Sequence, residues 1–132
     1  MNTALSGSIT ISRVDELSSA RKAVARAASA SCSPDRVMDV QLVVSELITN
    51  ALEHGTDHRA TVSFGLRGRS FIVSVDSTSD VTRPPAPTKV PNHAPAGRGL
   101  AIVENLADEV TIDVDDNGVV TVVCAFVVDG TA

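Results

Sequence analysis

The stretch "VVSELITNALEHG", Val43 to Gly55, combines two patterns in one helix-forming segment. Apolar residues recur at helical spacing, while Glu46, Asn50 and His54 follow one another at steps of four. Because four residues turn a helix by about 40° beyond one full turn, these three side chains span only about 80° of its circumference. The stretch is therefore predicted to form an amphipathic helix that carries one polar stripe.

The stripe allows two interpretations. The carbonyl oxygen of Asn50 suits a hard cation such as Mg²⁺, and Glu46, one turn away, suits the deprotonation of a hydroxyl or water. Alternatively, both residues are simply the solvated side of a surface helix. His54 is interpreted as a helix C-terminal residue favoured by the helix dipole, and His58 and His93 as loop residues.

The helix has clear end signals. Ser33 can cap the free amides and Pro34 needs no donor at the first helical position, so the helix is predicted from Pro34 to about His54, with Gly55 ending it. Before it, "SGSITISRV" reads as a strand. A first helix is then predicted from Asp15, as the N-cap, to about Ser31.

Further strands follow the helix. "RATVSFGLR" and "SFIVSVDS" are predicted as two strands joined by a turn at Gly68. Residues 77–96 contain five prolines and fit neither a helix nor a strand. Helical spacing resumes after Gly97, and "VTIDVDDNGVVTVVCAFVV" is predicted as a hairpin that turns at Asn117-Gly118. The last strand is apolar on both faces, which predicts cover on both sides.

This order predicts an α+β fold, a two-layer sandwich of a mixed β-sheet with three helices on one face. The 132 residues are predicted to form a single domain, 1–132. A net charge of −5 and an aromatic content of 2% argue against direct nucleic-acid binding. No apolar run is long enough to span a membrane and no export signal is evident, so a cytoplasmic location is expected. Cys32 and Cys124 have no metal-type spacing and are interpreted as structural thiols.

A second stretch, "GRGLAIVENLADEV", places two glycines at a predicted helix start. Free amides and the positive end of the helix dipole there form an anion site, and glycine lets a phosphate approach the backbone closely. Arg98, between the glycines, would add a charge-assisted contact. The alternative is a flexible loop before an ordinary helix start.

Together the two stretches resemble known motifs. "SELITNALEHG" matches the N-box, and "GRGLAIVENLAD" the second glycine box, of the Bergerat-fold ATP-binding domain shared by gyrase, the heat-shock chaperone ATPase, histidine kinases and mismatch-repair ATPases. Within that superfamily the chain is most similar to the small bacterial anti-sigma-factor serine kinases. The resemblance covers nearly the whole chain, from the first strand to the final hairpin.

The resemblance implies ATP and Mg²⁺ as cofactors and a role for each matching residue. Glu46 would be the general base and Asn50 the Mg²⁺ ligand. Asp76 would accept a hydrogen bond from the adenine amino group, and Thr121 would help to hold adenine. The turn that holds the phosphates would consist of Gly97, Arg98, Gly99 and Leu100. The ATP lid would be the segment of about 77–96.

Three functions are compatible with the resemblance. The first is an anti-sigma factor that sequesters a sigma factor and, as a kinase, phosphorylates a serine of an anti-anti-sigma partner. The second is a partner-binding regulator, with or without nucleotide, that transfers nothing; it is motivated by "DSTSD", where Thr78 and Asp80 replace the two glycines of the family's D-x-G-x-G motif. The catalytic domain of a histidine kinase fits less well, because no helical hairpin with a phospho-accepting histidine precedes Pro34. A homodimer is expected, from the two-sided apolar last strand and from the family's habit.

Overall fold

The computed structural model describes residues 5–78 and 95–128, and only the backbone of residues 95–100. Its elements alternate between strands and helices much as the sequence predicts. In chain order they are β1 (Gly7–Ile11), a 3₁₀ turn (Val14–Glu16), α1 (Leu17–Ala28), α2 (Pro34–His54), β2 (Ala60–Arg67), β3 (Ser70–Thr78), α3 (Pro95–Leu106), β4 (Glu109–Val114) and β5 (Val119–Val127).

The sheet has the strand order β1-β2-β3-β5-β4, and every neighbouring pair is antiparallel. The α+β class is confirmed, but the expectation of a mixed sheet is wrong. β3 and β4 do run in the same direction, with α3 between them in the chain. However, β5 folds back from the turn at Asn117-Gly118 and inserts between these two strands, so the described strands form no parallel pair.

All three helices pack on one face of the sheet, as predicted, and share one hydrophobic core with it. α2 lies in the centre of the helical layer, between α1 and α3. The core-facing side chains of the sheet alternate along each strand with those of the outer face. The most deeply buried core residues of the adjacent strands β3 and β5 are Phe71, Val73, Val75, Cys124 and Phe126. None of the helices in the described parts of the chain is long and apolar enough to cross a membrane.

The thiol of Cys124 belongs to this core. Its burial raises its pKa to about 12, because a thiolate loses its hydration among apolar side chains. Neither Cys124 nor Cys32 forms a disulfide. This agrees with the prediction that Cys124 is a structural thiol.

The start of α1 differs from its prediction. Asp15 does not cap the helix, because its carboxylate pairs with the guanidinium of Arg13 at 2.9 Å. The backbone amides of Ser12 and Arg13 instead donate to Glu16 Oε1 at 2.9 and 3.0 Å, which makes Glu16 the residue that stabilises this entry. At its other end α1 stops at Ala28, before the predicted Ser31.

The ends of α2 agree with prediction. The amide of Arg36 donates to the Ser33 hydroxyl at 3.3 Å, and Gly55 ends the helix. Gly55 has an extended backbone rather than a left-handed one, so a close approach explains the glycine. A Cβ atom at this position would lie 2.5 Å from the Ala51 carbonyl oxygen and 3.2 Å from that of Thr78.

We expect Gly55→Ala to lower the free energy of unfolding by about 1–3 kcal/mol, because the added methyl collides with the last turn of α2 and crowds the end of β3. Urea denaturation measures this loss. Gly68→Asn is the matched control, since Gly68 has a φ of 61° with nothing within 4 Å of its Cβ position, and asparagine tolerates a positive φ. A loss at Gly55 no larger than at Gly68 would contradict the close approach.

Candidate functional site

Glu46 and Asn50 lie on the flank of α2 that faces α3. Arg36 marks this flank, because its Nη1 donates to the Leu106 carbonyl at the end of α3 (2.9 Å). At about 100° per residue, Asn50 lies about 40° and Glu46 about 80° from Arg36 around the helix axis. Both Glu46 and Asn50 are half-buried.

The opposite flank of α2 faces α1. There Arg21 Nη1 donates to Ser45 Oγ at 3.2 Å, and Ser45 Oγ donates to the Gln41 carbonyl at 3.0 Å. The polar stripe predicted from the sequence therefore lies on the side of α2 that faces α3, with Asn50 nearer to α3 than Glu46 is.

α3 runs antiparallel to α2. Its last residue lies beside Arg36, near the start of α2, and the following Asp108 also contacts Arg36. The 12 residues of α3 span about 18 Å, whereas α2 has 21 residues. The first turn of α3 therefore lies beside the second half of α2, where Glu46 and Asn50 are located.

The predicted glycine turn is helical. Because α3 begins at Pro95, residues 97–100 belong to its first turns rather than to a preceding turn. The amides without an intrahelical acceptor are those of the N-cap and of the first three helical positions; in α2 the amide of the fourth residue, Val37, already donates to the Ser33 carbonyl. The first helical position of α3 is a proline, which has no N–H. Among the described residues of α3, the free donors are thus those of Ala96 and Gly97, whereas the amides of Arg98, Gly99 and Leu100 fall within the helical hydrogen-bonding pattern.

An incompletely covered part of the sheet lies near this end of α3. Its core-facing side chains, Ser77 on β3 and Val120 and Val122 on β5, are half-buried. At the opposite end of the same strands Phe71 and Phe126 are fully covered by the helices. Ser77, Val120 and Val122 are called the site floor below.

Asp76 and Thr121 do meet, but on the other face of the sheet. Thr121 Oγ1 donates to Asp76 Oδ1 at 2.7 Å, and the two residues are direct partners in the β3–β5 ladder. Their neighbours Val75 and Val122 point into the core, so alternation turns Asp76 and Thr121 away from the helices. This placement does not agree with the expectation that Asp76 and Thr121 share one cleft with Glu46 and Asn50.

The comparisons with known proteins agree with this architecture. The family model described as the histidine kinase-like ATPase domain matches residues 11–125. The chain belongs to this family. The Bergerat-type resemblance drawn from the two motifs is thereby confirmed, and the histidine kinase-like ATPase domain is a nucleotide-binding domain.

Two curated relatives are anti-sigma F factors. The one from Clostridium kluyveri is 26% identical over 92 residues, which cover 63% of this chain and 65% of the relative. The one from Bacillus velezensis is 33% identical over 89 residues, which cover 60% of this chain and 61% of the relative. The matched regions thus span just under two thirds of the length of these relatives.

A solved structure shows the same fold. A chain from the crystal structure of the SiaB-SiaC complex of Pseudomonas aeruginosa aligns with a TM-score of 0.65 at 14% sequence identity. The alignment covers 96% of this chain and 91% of that one. The likeness extends over both layers, the helices and the sheet.

In this histidine kinase-like ATPase domain, the end of α2 is fastened to the end of β3. The backbone amide of Thr56 donates to the Thr78 carbonyl at 2.9 Å, and the Thr56 hydroxyl donates to that of Thr78 at 3.0 Å. These bonds fix the base of the predicted lid segment 77–96. Ser77 and Thr78 belong to β3 and residues 95–96 to α3, while residues 79–94, with Asp80 and His93, lie outside the described residues.

The two described histidines, His54 and His58, lie where the sequence predicts them. His54 occupies the last turn of α2, 3.9 Å from the Glu53 carboxylate. His58 lies in the following loop, where its backbone has a φ of 51°. Its Nδ1 atom is 2.8 Å from the Leu52 carbonyl oxygen. Over residues 5–78 and 95–128, no three histidine, cysteine or acidic side chains converge as a metal cluster would require.

The space bordered by Glu46 and Asn50, the start of α3 and the site floor is called the cleft below. Its residues nevertheless fit a nucleotide with Mg²⁺. Magnesium keeps most of its waters and needs as few as one or two protein oxygens, and the amide oxygen of Asn50 would supply one. The free amides at the start of α3 suit phosphate oxygens. The apolar part of the site floor suits the face of a base.

Sequence reasoning missed Ser77 as a residue of the site floor. Its signal was the alternation in "SFIVSVDS": Phe71, Val73 and Val75 occupy one face, which places Ser77 on that face and Asp76 on the other. Ile72, buried on the outer face, obscures the pattern, because it makes the first half of the strand apolar on both sides.

Proposed function

We propose that the protein is an anti-sigma factor that binds ATP and Mg²⁺ and phosphorylates a serine of an anti-anti-sigma partner. The observation that carries the proposal is the position of Glu46 and Asn50 on the α3-facing flank of α2, beside the free amides of α3. Membership of the histidine kinase-like ATPase family supports the use of ATP. The two anti-sigma F factor relatives support the regulatory role, with a sigma factor as the sequestered partner.

Each residue would have a distinct task. The carbonyl oxygen of Asn50 would hold Mg²⁺, which offsets the charge of the phosphates when it is bound. The amides of Ala96 and Gly97 would bind phosphate oxygens. Glu46 would take the proton of the serine hydroxyl as its oxygen bonds to the γ-phosphorus, while the bond from that phosphorus to the bridging oxygen breaks and ADP leaves.

A transfer assay tests the kinase proposal. The purified chain is incubated with Mg²⁺, γ-labelled ATP and the anti-anti-sigma proteins of its own organism, and phosphoserine is identified by mass spectrometry. Labelling of one serine in one of these proteins is expected. ATP binding without transfer to any of them would reject the kinase and favour the second candidate, a partner-binding regulator, which the replacement of both glycines by Thr78 and Asp80 also favours.

We expect Asn50→Ala to weaken ATP binding in the presence of Mg²⁺ by about tenfold or more, because one charge-assisted contact of about 1.5–3 kcal/mol is lost. In EDTA the variant and the wild type should bind equally. Calorimetry measures both affinities, and Asn105→Ala, an exposed site on α3, is the matched control. Equal affinities for wild type and Asn50→Ala in Mg²⁺ would show that Asn50 holds no metal.

We also propose that the chain forms a homodimer through the outer face of the sheet. This face is not covered by the helices, and its centre is apolar, with Ile72 on β3 and Val123 and Ala125 on β5. A surface hollow of about 410 Å³ lies on this outer face, lined partly by Leu5 and Ile72. Sedimentation should show a dimer at tens of micromolar, and a monomer at that concentration would contradict the dimer.

A further inference from the structure

The end of β3 presents Ser77, not Asp76, to the cleft. Val73 and Val75 are 0% and 3% exposed and belong to the core. The ladder between β3 and β5 is unbroken from Ser70 to Thr78, so no bulge reverses the alternation. Ser77 therefore continues the core-facing row at the point where the helices stop covering it.

The surroundings of Ser77 suit the edge of a base. Its direct partner on β5 is Val120, also half-buried, so a hydroxyl borders an apolar floor. The next residue, Thr78, is held by two hydrogen bonds to Thr56, which fixes the strand end. Asp76 is held on the outer face by Thr121.

A hydroxyl and a carboxylate select bases differently. An ionised carboxylate only accepts hydrogen bonds, whereas a serine hydroxyl donates one and accepts others. Adenine presents an amino donor where guanine presents the O6 acceptor. A carboxylate that faces position 6 of the purine would favour adenine and repel guanine, while a hydroxyl there rotates to pair with either.

We propose that Ser77 is the base-contacting residue of the cleft and that its hydroxyl relaxes nucleobase selection, so that ATP and GTP bind with similar affinity. This inference rests on the proposed nucleotide-binding function. It assigns no role in base recognition to Asp76.

Calorimetric titration of ATP and GTP in Mg²⁺ tests the inference on the wild type, Ser77→Asp and Asp76→Asn, each checked for folding by circular dichroism. The wild-type dissociation constants should agree within about fivefold. Ser77→Asp should prefer ATP by about tenfold or more, since an acceptor-only group leaves guanine O6 unpaired. Using the ratio of the two constants cancels the repulsion of the new charge from the phosphates, which both nucleotides share. Asp76→Asn, which changes a carboxylate one residue away, should leave the ratio within about twofold.

Two kinds of result overturn the inference. A wild-type preference for ATP of a hundredfold, lost in Asp76→Asn and unchanged in Ser77→Asp, would assign recognition to Asp76 while leaving ATP binding intact. If folded wild-type protein binds neither nucleotide, the proposed function itself fails, and the inference fails with it. Ser77→Ala provides a variant without added charge, and its affinity for both nucleotides should fall by a similar factor.

Discussion

Replacement of Glu46 by glutamine should reduce phosphoryl transfer to the partner serine by about 10²–10⁴-fold, the usual contribution of a positioned general base. Glutamine keeps the size and hydrogen-bonding capacity of the side chain but cannot take the hydroxyl proton. The affinity for ATP should change by less than about threefold, because the proposed contacts of the nucleotide are with Asn50, the α3 amides and the site floor. Single-turnover kinetics with labelled ATP measure the transfer step directly.

Glu53→Gln is the matched control for this experiment. Glu53 lies on the same helix and is exposed, and its only described ion pair is the 3.9 Å contact with His54. The same chemical change there should leave the transfer rate within about twofold. If Glu46→Gln retained more than about a tenth of the wild-type rate, Glu46 would not be the base, and its half-buried position beside α3 would require another explanation.

The second large effect concerns stability. Phe126 is 0% exposed, lies opposite Phe71 in the β3–β5 ladder, and has the guanidinium of Arg36 5.2 Å from its ring centre. Phe126→Ala should lower the free energy of unfolding by about 3–5 kcal/mol, because it removes buried apolar surface and leaves a cavity. That loss is a large part of the 5–15 kcal/mol typical of a whole domain.

Urea denaturation of Phe126→Ala and Val127→Ala measures this effect against a neighbour. Val127 is next on the same strand and is 53% exposed, so its truncation should cost no more than about 0.5 kcal/mol. Its backbone amide, which donates to Asp108 at 2.7 Å, is unchanged by the substitution. A loss below about 1 kcal/mol for Phe126→Ala would mean that this end of the sheet is not packed as described.

Local signals in the sequence predicted much of the fold. Ser33, Pro34 and Gly55 define α2 because the ends of a helix are decided within a few residues, by a capping side chain and a proline at its start and here by a glycine at its end. Gly118 adopts a φ of 83° in the predicted hairpin turn. The carboxylate of Asp115, which accepts from the amides of Asn117 and Val119, completes that turn.

The features that the sequence did not predict depend on distant contacts. The insertion of β5 between β3 and β4 is decided by pairing across the whole sheet, so the antiparallel arrangement could not be read from either strand alone. The start of α3 at Pro95 was not predicted, because it lies in a proline-rich segment and proline disfavours the interior of a helix. In the candidate site, the sequence predicted that Glu46 and Asn50 share one side of a helix, because helical periodicity is local. The face of Asp76 depends on strand register, in which a shift of one residue reverses the direction of a side chain.

A crystal structure of the chain grown with Mg²⁺ and a non-hydrolysable ATP analogue tests the central claim most directly. The account predicts a triphosphate at the start of α3, a cation at the amide oxygen of Asn50, and a base lying on Val120 beside the hydroxyl of Ser77. A nucleotide bound on the outer face of the sheet, beside Asp76 and Thr121, would contradict the account, as would an empty cleft at saturating nucleotide.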